Sequence, residues 1–150
     1  MSEKDVRTAI TKAFDKMEQD LLQVARNGFD AGFPQAAYAG ACALVAVVHG
    51  NKLYVANSGD SKGTLLRQKC DKLEAVKIST TFSANKSYEQ ERLKTKFTGE
   101  KDVVICKRKG ACYVKGGLMP TRSFGDFRLK HREFNFHEFS REYGFRLPIP

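Results

Sequence analysis

Three segments of this chain carry residue types at spacings that could do chemistry. In Asn57-Ser58-Gly59-Asp60-Ser61 a carboxylate follows a glycine at the end of an apolar run. A strand end of this kind can present a metal ligand or a general base. The same residues are those a strand-to-strand turn favours, and residue type alone favours the turn. In Thr121-Arg122-Ser123-Phe124-Gly125-Asp126, Arg122 offers a forked guanidinium suited to phosphate, or to a carboxylate such as Asp126 in a fixed turn. The third segment is aromatic and basic: Phe124, Phe127, Arg128, Lys130, His131, Arg132, Phe134, Phe136, His137, Phe139, Arg141, Tyr143 and Phe145. Interleaved rings and cations can stack on single-stranded nucleic acid, or can pin an irregular segment onto a domain. No consensus of a nucleic-acid-binding module accompanies them, so a basic nucleic-acid module is kept only as an alternative. His131 and His137 stand six apart with no evident third ligand, which argues for surface histidines.

Four cysteines, Cys42, Cys70, Cys106 and Cys112, form no Cys-x-x-Cys pair and give no zinc spacing. Cys42 and Cys112 lie in apolar runs, where a free thiol behaves as a small hydrophobe. The expectation is of free thiols and an intracellular, reducing compartment.

The elements that must position these groups follow from periodicity. Ser2 with Asp5 forms a capping box, and Val6, Ala9, Ile10, Ala13, Phe14, Met17, Leu21 and Leu22 make one apolar stripe of a helix that Gly28 ends. Residues 28–40 read as a loop. Cys42–Val48 and Leu53–Ala56 read as a hairpin around His49-Gly50-Asn51-Lys52. Thr64–Leu66 and Leu73–Ile78 are further strands. Ser87-x-x-Gln90 predicts a capping box opening a short helix to about Phe97, whose residues Glu89, Gln90, Glu91, Arg92 and Lys94 are mostly solvent-facing types. Val103–Cys106 and Ala111–Val114 flank the basic turn Lys107-Arg108-Lys109-Gly110. The order of elements predicts an α+β domain with antiparallel pairing.

The 150 residues suit one domain, 1–150, and 41% hydrophobic residues suffice for a core. No apolar run is long enough to span a membrane, and residues 2–8 lack a signal-peptide core. The net charge of +9 is uneven: residues 1–60 hold 6 Lys/Arg against 7 Asp/Glu, and residues 61–150 hold 20 against 10. A basic half fits acidic or phosphate-bearing protein subunits, anionic lipid, nucleic acid or a solvated surface.

Taken in order, the motifs resemble the type 2C metal-dependent Ser/Thr protein phosphatases. Gly40-Ala41-Cys42-Ala43-Leu44-Val45-Ala46-Val47-Val48 followed by Leu53-Tyr54-Val55-Ala56-Asn57-Ser58-Gly59-Asp60-Ser61-Lys62 is similar to the central hairpin of that family. Glu89-Gln90-Glu91-Arg92-Leu93 looks like its Glu-x-x-Arg-(Ile/Leu) helix. Leu118-Met119-Pro120-Thr121-Arg122-Ser123-Phe124-Gly125-Asp126 looks like its Arg-x-x-Gly-Asp segment, in wording closest to the pyruvate dehydrogenase phosphatase branch, which is mitochondrial. The resemblance implies a β-sandwich of antiparallel sheets with flanking helices. It also implies hydrolysis of phosphoserine and phosphothreonine by water held between two magnesium or manganese ions, which a cluster of carboxylates must bind.

The departures from that pattern fall on the metal ligands. The Asp-Gly-His-Gly motif, the Glu strand with its phosphate-binding Arg, and the later Ser-Asp-Gly and Asp-Asn motifs have no counterpart in 1–150. The Asp-His pair ahead of the short helix is Thr81-Phe82. Lys62 and Gly63 follow Gly-Asp-Ser. Asp60 alone matches a position with a metal role, that of a peripheral third-metal ligand. One carboxylate cannot hold two divalent ions, so no cofactor is expected in this chain alone. The expectation is a phosphatase-like structural or interaction subunit without catalysis of its own. The alternative is the central part of an active enzyme completed by other segments or chains.

Overall fold

The computed structural model describes residues 2–107 and 109–134. Helix α1 spans Glu3–Asp30, and Ser2 and Asp5 close the expected capping box, each side chain bonding the other's backbone N–H. Gly28 does not end the helix. It sits inside the last turn because Ala36 packs against it: a Cβ there would lie 2.8 Å from the Ala36 Cβ. The chain leaves the helix at Ala31, before Gly32 with φ +86°. A short 3-10 helix, Pro34–Tyr38, then leads into the strands.

All strand pairs are antiparallel and two-stranded, which gives the α+β fold class expected. They are β1 (Gly40–Ala41), β2 (Ala43–His49), β3 (Lys52–Ser58), β4 (Thr64–Lys69), β5 (Lys72–Lys77), β6 (Val104–Cys106), β7 (Cys112–Val114) and β8 (Phe124–Gly125). Pairing joins β2 with β3, β4 with β5, β6 with β7, and, across the chain, β1 with β8. The β2–β3 hairpin runs in register from Ala43↔Ser58 to His49↔Lys52 around Gly50-Asn51. Cys70 and Asp71, both at positive φ, turn β4 into β5. That is the twist a two-residue hairpin requires.

Helix α2 spans Ser87–Lys96. Its capping box does not form. Lys86 is the N-cap without a side-chain bond, and the Gln90 amide reaches back to the Ala84 carbonyl at 2.7 Å. The expected solvent-facing row is also corrected, because Glu89 is 2% exposed.

Two small apolar clusters hold the elements. Ala84, Leu93, Val103, Cys112 and Val114 join α2 to β6 and β7. Ala25, Ala37, Phe127 and Phe134 join α1 to two short 3-10 helices, Phe127–Leu129 and Arg132–Phe134. The aromatic segment therefore pins itself onto α1, as far as Phe134. Phe136, His137, Phe139, Arg141, Tyr143 and Phe145 lie outside the described residues. Glu18 clasps the same junction, accepting from the Gly125 N–H at 3.0 Å and from Lys130 Nζ at 2.5 Å.

The cysteine expectation is corrected as well. Cys106 and Cys112 face each other in the β6–β7 register and are joined by a disulfide, while Cys42 and Cys70 are free. Six residues apart in sequence, the two become cross-strand partners across a tight hairpin. Among the described residues no helix is long and apolar enough to cross a membrane.

Candidate functional site

The Gly59-Asp60 loop is organised by the Asn57 side-chain amide. Its Nδ2 donates to the carbonyls of Gly59 at 3.1 Å, Ser61 at 3.2 Å and Thr80 at 2.6 Å. Gly59 takes φ +120°, and a Cβ there would lie 2.3 Å from the Cys42 sulfur. The loop thus folds directly over Cys42, whose thiol donates to Asp60 Oδ1 at 3.6 Å.

The second Gly-Asp pair converges on the same place. Asp126 is buried with a left-handed backbone. It donates its N–H to the Ala39 carbonyl at 2.7 Å and accepts the Ser123 hydroxyl at 2.6 Å. Its carboxylate covers Gly40, where an added Cβ would lie 2.2 Å from Oδ2. Partial desolvation of the sulfur, helped by the charges of Asp60 and Asp126, pushes the Cys42 thiol above its ordinary range. The opposing Asp60 backbone bond does not cancel this. Pairing of β1 with β8 therefore sets Asp126 against Gly40, two residues from the Cys42 thiol that meets Asp60.

Arg122 belongs to a different constellation. The carboxylate it meets is Glu89, at 3.7 Å, and its guanidinium lies over the Phe82 ring at 4.0 Å. Glu89 also takes a forked pair of bonds from Arg92 at 3.0 and 2.8 Å, and the Thr121 hydroxyl. Burial works to raise the Glu89 pKa. The Arg92 and Thr121 hydrogen bonds and the charges of both arginines outweigh it and hold the carboxyl below its usual range. Residues 118–121 reach α2 because they run antiparallel to 82–84: Thr121 donates to the Phe82 carbonyl at 3.0 Å and Ala84 to that of Met119 at 2.8 Å. Phe82 in turn donates its N–H to the Gly59 carbonyl at 3.0 Å. One connected path thus runs from the Gly59-Asp60 loop through Phe82 and Arg122 to Glu89.

This path was not legible in the sequence, where Phe82 stands out only as a departure from the Asp-His pair and Glu89 only as part of a polar helix. The Glu-x-x-Arg spacing was the available signal, since residues three apart on a helix can form a forked ion pair.

A family model described as Protein phosphatase 2C matches residues 1–143. The chain belongs to the protein phosphatase 2C family. It is 38% identical over 128 residues to Probable protein phosphatase 2C 38 of Arabidopsis thaliana, covering 84% of this chain and 33% of that protein. It is 34% identical over 144 residues to Probable protein phosphatase 2C 36 of Oryza sativa subsp. japonica, covering 95% and 36%. Over 142 residues it is 33% identical to Probable protein phosphatase 2C 64 of Arabidopsis thaliana, covering 93% and 35%. This phosphatase 2C chain spans about a third of the length of the curated relatives it matches. These names are those of the family at large; the Leu118-Met119-Pro120 lead-in does not narrow them to the pyruvate dehydrogenase phosphatase branch.

The described residues do not gather the ligands that a pair of divalent ions takes. Among the described residues no group of three or more His, Cys, Asp or Glu is placed to hold a metal ion. Asp60 faces a thiol and Asp126 a hydroxyl, so neither carboxylate stands in an oxygen-rich cluster of the kind hard cations take.

Proposed function

We propose that this phosphatase 2C chain acts through its surfaces, as a phosphatase-fold unit that docks other protein segments and does not hydrolyse phosphoesters by itself. The observation that carries this reading is the uncovered hairpins. Val48 and Leu53 are cross-strand partners and 75% and 41% exposed, and Leu66 and Leu73 are 66% and 76% exposed. Strands of this composition are stable when one face is covered. The carboxylate arrangement supports the same reading, since among the described residues it offers no dinuclear site. The partners expected are other protein subunits with acidic or phosphate-bearing surfaces, matching the basic second half of the chain.

The test is a phosphatase assay of the purified chain on p-nitrophenyl phosphate and a phosphopeptide with millimolar manganese. The expected result is no turnover above a metal-only control, together with co-purification of protein partners. Turnover that disappears in Asp60→Ala overturns the proposal.

A second reading has one observation in its favour, the convergence of Gly59-Asp60 and Gly125-Asp126 on the segment 39–42. In it, this chain is the central part of a magnesium- or manganese-dependent protein serine/threonine phosphatase. Asp60 is then a peripheral ligand, and carboxylates from another segment complete the site. Activity that appears only on co-expression with such a segment distinguishes the two.

A further inference from the structure

A cavity of about 240 Å³ lies between α2 and residues 114–130. Leu93, Phe97, Leu118 and Leu129 give it apolar lining. Cations come from both sides, Arg92 and Lys96 from α2 and Arg122 from the opposite segment. Glu89 supplies one negative charge to the two arginines, so that pair keeps a net positive charge. Lys96 lies over the Phe97 ring and has no carboxylate partner among the described residues. In the same segment as Arg122, Lys130 is balanced by Glu18, and Asp126 is turned onto Ser123. The lining therefore combines apolar side chains with an excess of positive charge.

We infer that this cavity is a docking pocket for an acidic polypeptide segment that carries an apolar anchor residue. The anchor meets the apolar lining and flanking Asp or Glu side chains meet Arg92, Lys96 and Arg122. One feature favours an acidic polypeptide over nucleic acid: Leu93, Phe97, Val114 and Leu118 in the lining suit an apolar side-chain anchor, which a sugar-phosphate backbone lacks. The inference rests on the docking role proposed above and narrows it to one site and one ligand chemistry.

The experiment uses the full 150-residue chain without added metal. The probe is a fluorescent synthetic hexapeptide of four glutamates around a leucine-phenylalanine pair, and the control has glutamine in place of each glutamate. The probe is expected to bind and the control to bind at least about tenfold more weakly. Affinity should fall in the order wild type, Lys96→Met, Lys96→Glu, because the first variant keeps the apolar stem and loses only the charge. Amide shifts on binding should map to residues 92–97 and 118–123. Circular dichroism of both variants should match the parent, since Lys96 is exposed.

Equal binding of the glutamine control overturns the proposal. So does displacement of the probe by millimolar inorganic phosphate or by single-stranded DNA at micromolar concentration, or a set of shifts confined to the β2–β3 and β4–β5 hairpins. That last result, with partners still co-purifying, leaves the docking role standing and removes only this pocket from it.

Discussion

Glu89 is a buried carboxylate with two guanidinium neighbours, and its ionised form is the one the fold favours. A folded-state pKa below the unfolded value means that stabilisation is fully present above about 4.5 and is lost as the pH falls from there through the lowered value. Glu89→Gln should therefore reduce stability at neutral pH by about 2 kcal/mol, because Arg92 and Arg122 lose their shared countercharge while keeping partial access to water. The variant should also flatten the acid limb of a plot of urea midpoint against pH. An unchanged acid limb contradicts the assignment. Asn57 makes the complementary case. Its amide faces three carbonyl oxygens, so Asn57→Asp should destabilise the chain by about 2–4 kcal/mol at pH 7 and by less near pH 3, where the carboxyl can donate. At this scale the sequence showed which residues matter but not what they do. Asn57-x-Gly59-Asp60 and Glu89-x-x-Arg92 were legible as motifs. The Phe82–Arg122 stack was not, because it depends on residues 118–121 lying beside 82–84, a pairing that no local pattern encodes.

Among the elements, α1 and the β2–β3 hairpin were readable in advance, since long-period apolar stripes and a Gly-Asn turn are local signals. The end of α1 was not. Gly28 resembles a terminator in sequence, yet it is used for close contact with Ala36. The start of α2 failed for a related reason: Ser87 and Gln90 have the right spacing, but Gln90 is drawn away to Ala84. The β1–β8 ladder was invisible, being two residues long and closed over most of the chain. It makes a sharp prediction. Gly40→Ala must drive a methyl group into the Asp126 carboxylate, so the melt should shift down by the equivalent of about 2–3 kcal/mol. Amide exchange should accelerate first at residues 39–41 and 124–126. The Cys106–Cys112 hairpin gives another check. Thiol titration of the unfolded, unreduced chain should find only Cys42 and Cys70. Reduction should lower the urea midpoint by the equivalent of about 2 kcal/mol, as for a short closed loop.

At the scale of the molecule, the buried apolar clusters among the described residues are two and modest, and the largest hairpins contribute no buried residue to either. A chain built this way should bind a hydrophobic dye in its native state and sediment as more than a monomer at tens of micromolar. Covering the strands with a partner should reverse both. A sharp two-state melt of a dye-silent monomer would contradict the docking role.

The long-range ladder of Gly40–Ala41 with Phe124–Gly125 also turns the intervening residues into a closed circuit, held shut without a covalent bond. A protease nick at the exposed β4–β5 tip should leave two pieces that stay associated under native conditions and part only in denaturant. The same two pieces, expressed separately, become a natural split pair whose reassembly could report directly on whatever settles against the molecule.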